Sequence, residues 1–141
     1  NEKKKLEKWL GREIYHSRQH YLRVRVPDTW LVLENAGINC DASLGFSDIP
    51  GFRCGTSREY PVFDVKNRKV LDLIEKPLIA MDTSILKNES KSIEEKYREI
   101  ENIKDQIRLN GGSWHFLIHN SNFFWLDEKD YFELWQSFYE F

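Results

Sequence analysis

The chain has little cysteine: Cys40 and Cys54 are its only thiols in 141 residues. Two cysteines supply neither a disulfide framework nor a Cys-x-x-Cys pair, so a reducing compartment, cytoplasmic by default, is expected. No apolar run approaches the ~20 residues that a membrane helix needs. No secretory leader is read at the start, where Asn-Glu-Lys-Lys-Lys turns directly into an amphipathic pattern. Charge of one sign is also missing. Lys and Arg total 21 against 23 Asp and Glu, a net charge of −2, which removes any global pull toward nucleic acid. There is no internal repeat, no low-complexity stretch and no Gly-rich phosphate loop opening a helix.

What remains describes an ordinary globular chain, 40% hydrophobic and 31% charged, long enough for a single domain over residues 1–141. Aromatic residues stand at 14%. Their main destination is a core, with a carbohydrate-facing groove as the other use. The first residue is Asn, as in a processed chain or a fragment.

Apolar spacing and punctuation give the elements. Leu6, Trp9 and Leu10 share one face of an opening helix that stops at Gly11. Residues 13–18 read as a strand. Pro27 and Asp28 open a helix over 30–36 that Gly37 ends. Residues 38–42 read as a strand carrying Asp41. Residues 43–69 collect Gly45, Pro50, Gly51, Gly55 and Pro61 and read as a long loop, a length that marks a functional segment or a hidden element. Short strands follow at 70–74 and 78–81, the second ending at Asp82. Ser92 and Glu95 form a capping-box pattern. Ile93, Tyr97, Ile100, Ile103 and Ile107 then trace the clearest helix, closed by Gly111-Gly112. The charge run Lys87–Lys104 is expected to be its wet face. Residues 113–118 read as a strand and 119–126 as a loop. Asp127 caps a last helix with Tyr131, Leu134, Trp135, Phe138 and Phe141 inward. Alternation of this kind implies an α/β fold with mainly parallel strands flanked by helices.

Several groups could carry chemistry. His16 with His20, and His115 with His119, are His-x-x-x-His pairs. In extended backbone, residues four apart lie ~13 Å apart, too far for one ion. His119 sits where a strand runs into a loop, the position suited to acid–base work. Asp41 shares a strand face with Asn39 and Ser43. Buried there, it needs a partner, which Arg18, Arg53 or His119 could supply. Arg18, Arg23, Arg25 and Arg53 form no phosphate motif, and Cys54 has no Cys–His–Asn setting.

Five blocks carry a resemblance. They are Ser17-Arg18-Gln19-His20-Tyr21-Leu22-Arg23; Ala36-Gly37-Ile38-Asn39-Cys40-Asp41-Ala42-Ser43-Leu44-Gly45-Phe46; and Gly51-Phe52-Arg53-Cys54-Gly55-Thr56. The last two are Glu75-Lys76-Pro77-Leu78-Ile79-Ala80-Met81-Asp82 and Leu117-Ile118-His119-Asn120. In order and spacing they resemble bacterial polysaccharide deacetylase-like proteins of the NodB type. The resemblance implies the C-terminal part of an incomplete (β/α) barrel, with the family's metal-binding half expected before residue 1. It implies a hydrolase that removes N- or O-acetyl groups from a polysaccharide. His119 would be its general acid, tuned by Asp41; Arg18 would orient the base carboxylate; Leu117 would line the acetyl pocket; Arg53 would contact sugar hydroxyls. Arg18, Asp41 and His119 are then expected to converge. The cofactor implied is a divalent metal, usually Zn²⁺, whose ligands are not in this chain. The partners implied are a carbohydrate and either the N-terminal half or a second chain covering the open side. The alternative is a non-catalytic carbohydrate-binding or assembly domain without the metal half.

Overall fold

Two separate sets of apolar residues produce two cores. The computed structural model of the chain describes residues 2–86, 88–124 and 128–141. These divide into two compact units, Asn1–Leu44 with Glu59–Lys76 and Gly45–Arg58 with Pro77–Phe141. The backbone leaves the first unit after Leu44, returns at Glu59 and leaves again after Lys76.

The first unit is built on a four-stranded sheet of β1 (His16–Ser17), β2 (Cys40–Asp41), β4 (Lys69–Glu75) and β3 (Tyr60–Asp64), in that spatial order. β1, β2 and β4 are parallel, and β3 pairs antiparallel on the edge. α1 (Glu2–Leu10) precedes them, and α2 (Asp28–Asn35) links β1 to β2. Trp30 and Leu33 of α2 pack with Ile38, Val62, Leu71 and Leu73. Gly37 ends that helix at a φ of +72°, a conformation open to glycine without steric cost. The apolar face of α1 is exposed in this unit, with Trp9 79% accessible.

β3 lies inside the segment read as a loop. Pro61 hid it, because proline lacks a ladder donor and belongs only on edges or at irregularities. Both conditions hold here: β3 is an edge strand, and its register shifts between Pro61 and Phe63. Val62 is buried between exposed Pro61 and Phe63, and the Asp64 carboxylate closes the turn by accepting from the Lys66 and Asn67 backbone and from the Asn67 amide.

The second unit holds a two-stranded parallel pair, β5 (Ala80–Met81) with β6 (Phe116–Leu117), in the register Ala80 to Phe116 and Met81 to Leu117. The crossover runs through α3 (Asp82–Leu86) and α4 (Ile93–Asn110), and α5 (Glu128–Tyr139) follows β6. Ser92 caps α4: its hydroxyl accepts from Glu95 N–H, and the Glu95 carboxylate accepts from Ser92 N–H at 2.7 Å. Ile79, Ile85, Ile100, Ile107, Trp114, Leu134 and Phe138 form the core, with Phe116 and Ile118 packed against it. The expected cap Asp127 and the inward side chain of Tyr131 lie outside the described residues and side chains. Phe141, expected inward, is 56% accessible.

The charge run along α4 is not a uniformly wet face. Lys96 and Lys104 are buried, Lys104 completely. The Lys104 ammonium donates to Glu101 and to the carbonyls of Ser137 and Glu140, and stands 5.9 Å from the Trp114 ring centroid. The last carbonyls of a helix have no intrahelical partners and carry negative charge. A lysine on the neighbouring helix supplies what the end of α5 lacks. Among the described residues the strands close no barrel.

Candidate active site

β5 and β6 set the site by their register. Met81 faces Leu117 across the parallel pair, so the residues leaving the C-terminal ends of both strands emerge together. Asp82 is the residue after Met81, and His119 follows Leu117 by two. His119 Nδ1 lies 2.6 Å from Asp82 Oδ1, and the His119 backbone N–H donates to Asp82 Oδ2 at 2.7 Å. Thr83 N–H and the Asn122 amide also donate to this carboxylate, at 2.7 and 2.8 Å. The Asp82 side chain is 4% accessible and that of His119 40%.

A carboxylate that only accepts fixes the tautomer. Nδ1 carries the proton toward Asp82, which leaves Nε2 to gain or lose one. Four donors hold the carboxylate in place, so the imidazole is oriented from behind while its accessible side stays in reach of a ligand. The sequence pointed to Asp41 as the carboxylate behind His119. That position belongs to Asp82, because strand register, not sequence block, decides which acid meets the ring. One signal was present in the sequence: an Asp directly after the apolar run 78–81, at the end of a strand.

Asp41 sits at the end of a different strand, in the first unit. Ser17, Asp41 and Glu75 are register partners across β1, β2 and β4. Asp41 Oδ1 accepts from the hydroxyls of Ser17 and Ser43, at 2.6 and 2.9 Å. Glu75 accepts from Leu44 N–H and from Trp30 Nε1. Both acids are fully buried, and Asp41 Oδ2 has no hydrogen-bond partner among the described residues. Burial first, and then the Asp41 charge, push Glu75 up to about 7 against the hydrogen bonds from Leu44 and Trp30. Sequence reasoning missed Glu75 because its burial depends on the pairing of β2 with β4.

Arg18 is exposed and donates through Nε to the Ala42 carbonyl at 2.9 Å, in the field of Asp41 and Glu75. Arg53 donates to the Gly45 carbonyl at 2.8 Å and so ties the 45–53 loop together. Gly51 N–H in that loop donates to the Ile79 carbonyl, just before β5. Arg18 and Asp41 thus belong to the first unit, and Arg53, Leu117 and His119 to the second. Burial raises the Cys40 thiol, the opposite of what a nucleophilic thiolate needs.

Among the described residues there is no group of three or more His, Cys, Asp or Glu able to hold a metal ion. The described residues therefore do not form a site for the divalent ion that the family resemblance implies. No family model, curated protein or solved structure matches the chain.

Proposed function

We propose that this chain is part of a carbohydrate deacetylase in which His119 is the general acid. The observation that carries this reading is the His119–Asp82 pair at the C-terminal ends of β5 and β6. In the hydrolysis water adds to the acetyl carbonyl, the C–N or C–O bond to the sugar then breaks and acetate leaves, and the departing amine or alkoxide requires a proton. A protonated His119 delivers it from Nε2, and Asp82 stabilises the imidazolium through Nδ1–H. Leu117 contributes an apolar side chain beside the acid, suited to an acetyl methyl. Arg53 holds the loop that would border the saccharide. Asp41 and Glu75 have no step in this chemistry. The parallel pairings of β1, β2 and β4 and of β5 with β6 support an α/β fold.

The test is acetate release from N- and O-acetylated oligosaccharides by this chain joined to the metal-binding half that the resemblance implies. His119→Ala is expected to lower kcat by about 10²–10⁴. Asp82→Asn should lower kcat with KM unchanged, because it acts on the acid and not on substrate contacts, whereas Leu117→Ala should raise KM. Wild-type acetate release by the His119→Ala variant would overturn the assignment.

A further inference from the structure

The stretch before α2 carries a second surface that acid–base chemistry at His119 leaves unused. No acidic residue occurs between Glu13 and Asp28, whereas Arg18, Arg23 and Arg25 all do. In a chain of net charge −2 this is a basic island. Arg23 and Arg25 are exposed, and Asp28, the acid that follows them, is engaged by Lys66.

The backbone here adopts an unusual form. Tyr21 and Leu22 are consecutive non-glycine residues at φ of +57° and +51°, a region L-residues avoid. The turn is held by Leu22 N–H to the Gln19 carbonyl and Val24 N–H to the Leu22 carbonyl. It lifts the Tyr21 ring to 78% exposure, with the Arg23 guanidinium 5.7 Å from its centroid. Beside it opens a cleft of about 330 Å³ lined by Gln19, Arg23, Arg25, Asp28, Thr29, Val32 and Leu33; the Asp28 carboxylate in it is engaged by Lys66. Strained backbone that displays an aromatic ring against the solvent contributes nothing to a core. Such conformations cluster at ligand clamps.

We propose that this cleft binds an acidic saccharide, with Arg23 and Arg25 on the oxygens of a carboxylate or phosphate group and the Tyr21 face on the adjoining sugar ring. Guanidinium groups match the paired oxygens of either anion. An exposed tyrosine ring offers a flat apolar surface for the C–H face of a pyranose. The sugar portion rests on the carbohydrate reading above; the anion portion does not depend on deacetylation.

Calorimetric titration of the full chain tests this with four probes: an oligogalacturonate, a phosphate-bearing oligosaccharide, a neutral chito-oligosaccharide of equal length and an oligothymidylate. At least one acidic saccharide is expected to bind about tenfold or more tightly than the neutral one, and the stronger of the two acids identifies carboxylate or phosphate as the anion. Binding should weaken as salt is raised from 50 to 150 mM. The Arg23→Gln/Arg25→Gln double variant should lose that preference. Tyr21→Gly should weaken binding while its unfolding midpoint holds or rises, because glycine tolerates the backbone at that position. The proposal is overturned if acidic and neutral saccharides bind alike, if no saccharide binds, if the double variant binds as wild type, or if the oligothymidylate binds as tightly as the acids. Acidic-saccharide binding by the chain joined to its metal-binding half, without acetate release, would sink the deacetylase reading alone; acetate release without acidic preference would sink this one alone.

Discussion

Glu75 gives the first unit a stability that depends on pH. Its carboxyl is fully buried and is raised from 4.5 to about 7, chiefly by burial and then by Asp41. The folded chain therefore holds the Glu75 proton more tightly than the unfolded chain does. Stabilisation is complete below the unfolded value and disappears as pH rises through about 7. The shift corresponds to about 3 kcal/mol, most of which is lost between pH 5 and pH 8. Glu75→Gln should flatten this dependence. Its amide leaves either Trp30 Nε1 or Leu44 N–H less well matched, a cost of about 1 kcal/mol that is the same at every pH. Asp41→Asn should move the loss of stability to lower pH, since it removes a charge that raises Glu75. Urea unfolding followed by tryptophan fluorescence, at half-unit steps from pH 5 to 8.5, measures all three proteins. Parallel wild-type and Glu75→Gln curves across that range would refute the reasoning.

Two further outcomes concern the second unit. Lys104→Met keeps the length of the buried stem but removes the donor to Glu101, Ser137 and Glu140; chemical denaturation should show a loss of about 2–4 kcal/mol, with α5 the first helix to lose amide protection in hydrogen exchange. Gly112 has a φ of +136°, and a Cβ there would meet Ser57 Oγ at 2.1 Å and its backbone at 3.0 Å. Gly112→Ala should therefore lower the thermal midpoint and loosen the entry to β6, whereas alanine at Gly55, where a Cβ meets nothing within 4 Å, should cost only the strain of its positive φ.

Some of this was written locally in the chain. The Ser92 and Glu95 pair and the isoleucine spacing specify α4 without help from the rest of the fold, because a cap and a 3.6-residue period act within a few residues. Pro27, Asp28 and Gly37 bracket α2 in the same way. His119 was legible as a residue leaving a strand. Its carboxylate was not, because the choice between Asp41 and Asp82 depends on β6 pairing with β5 in one register, a contact between residues far apart in sequence. β3 was hidden by Pro61, whose tolerance depends on being at a sheet edge. The buried state of Lys104 depends on the end of α5 coming to rest beside it. The sequence by itself determined α2, α4, their ends and the histidine. Only the tertiary structure decided which acid stands behind that histidine, which acids are buried without one, and which lysine is inside, because each follows from desolvation and strand register, and neither exists until distant segments meet.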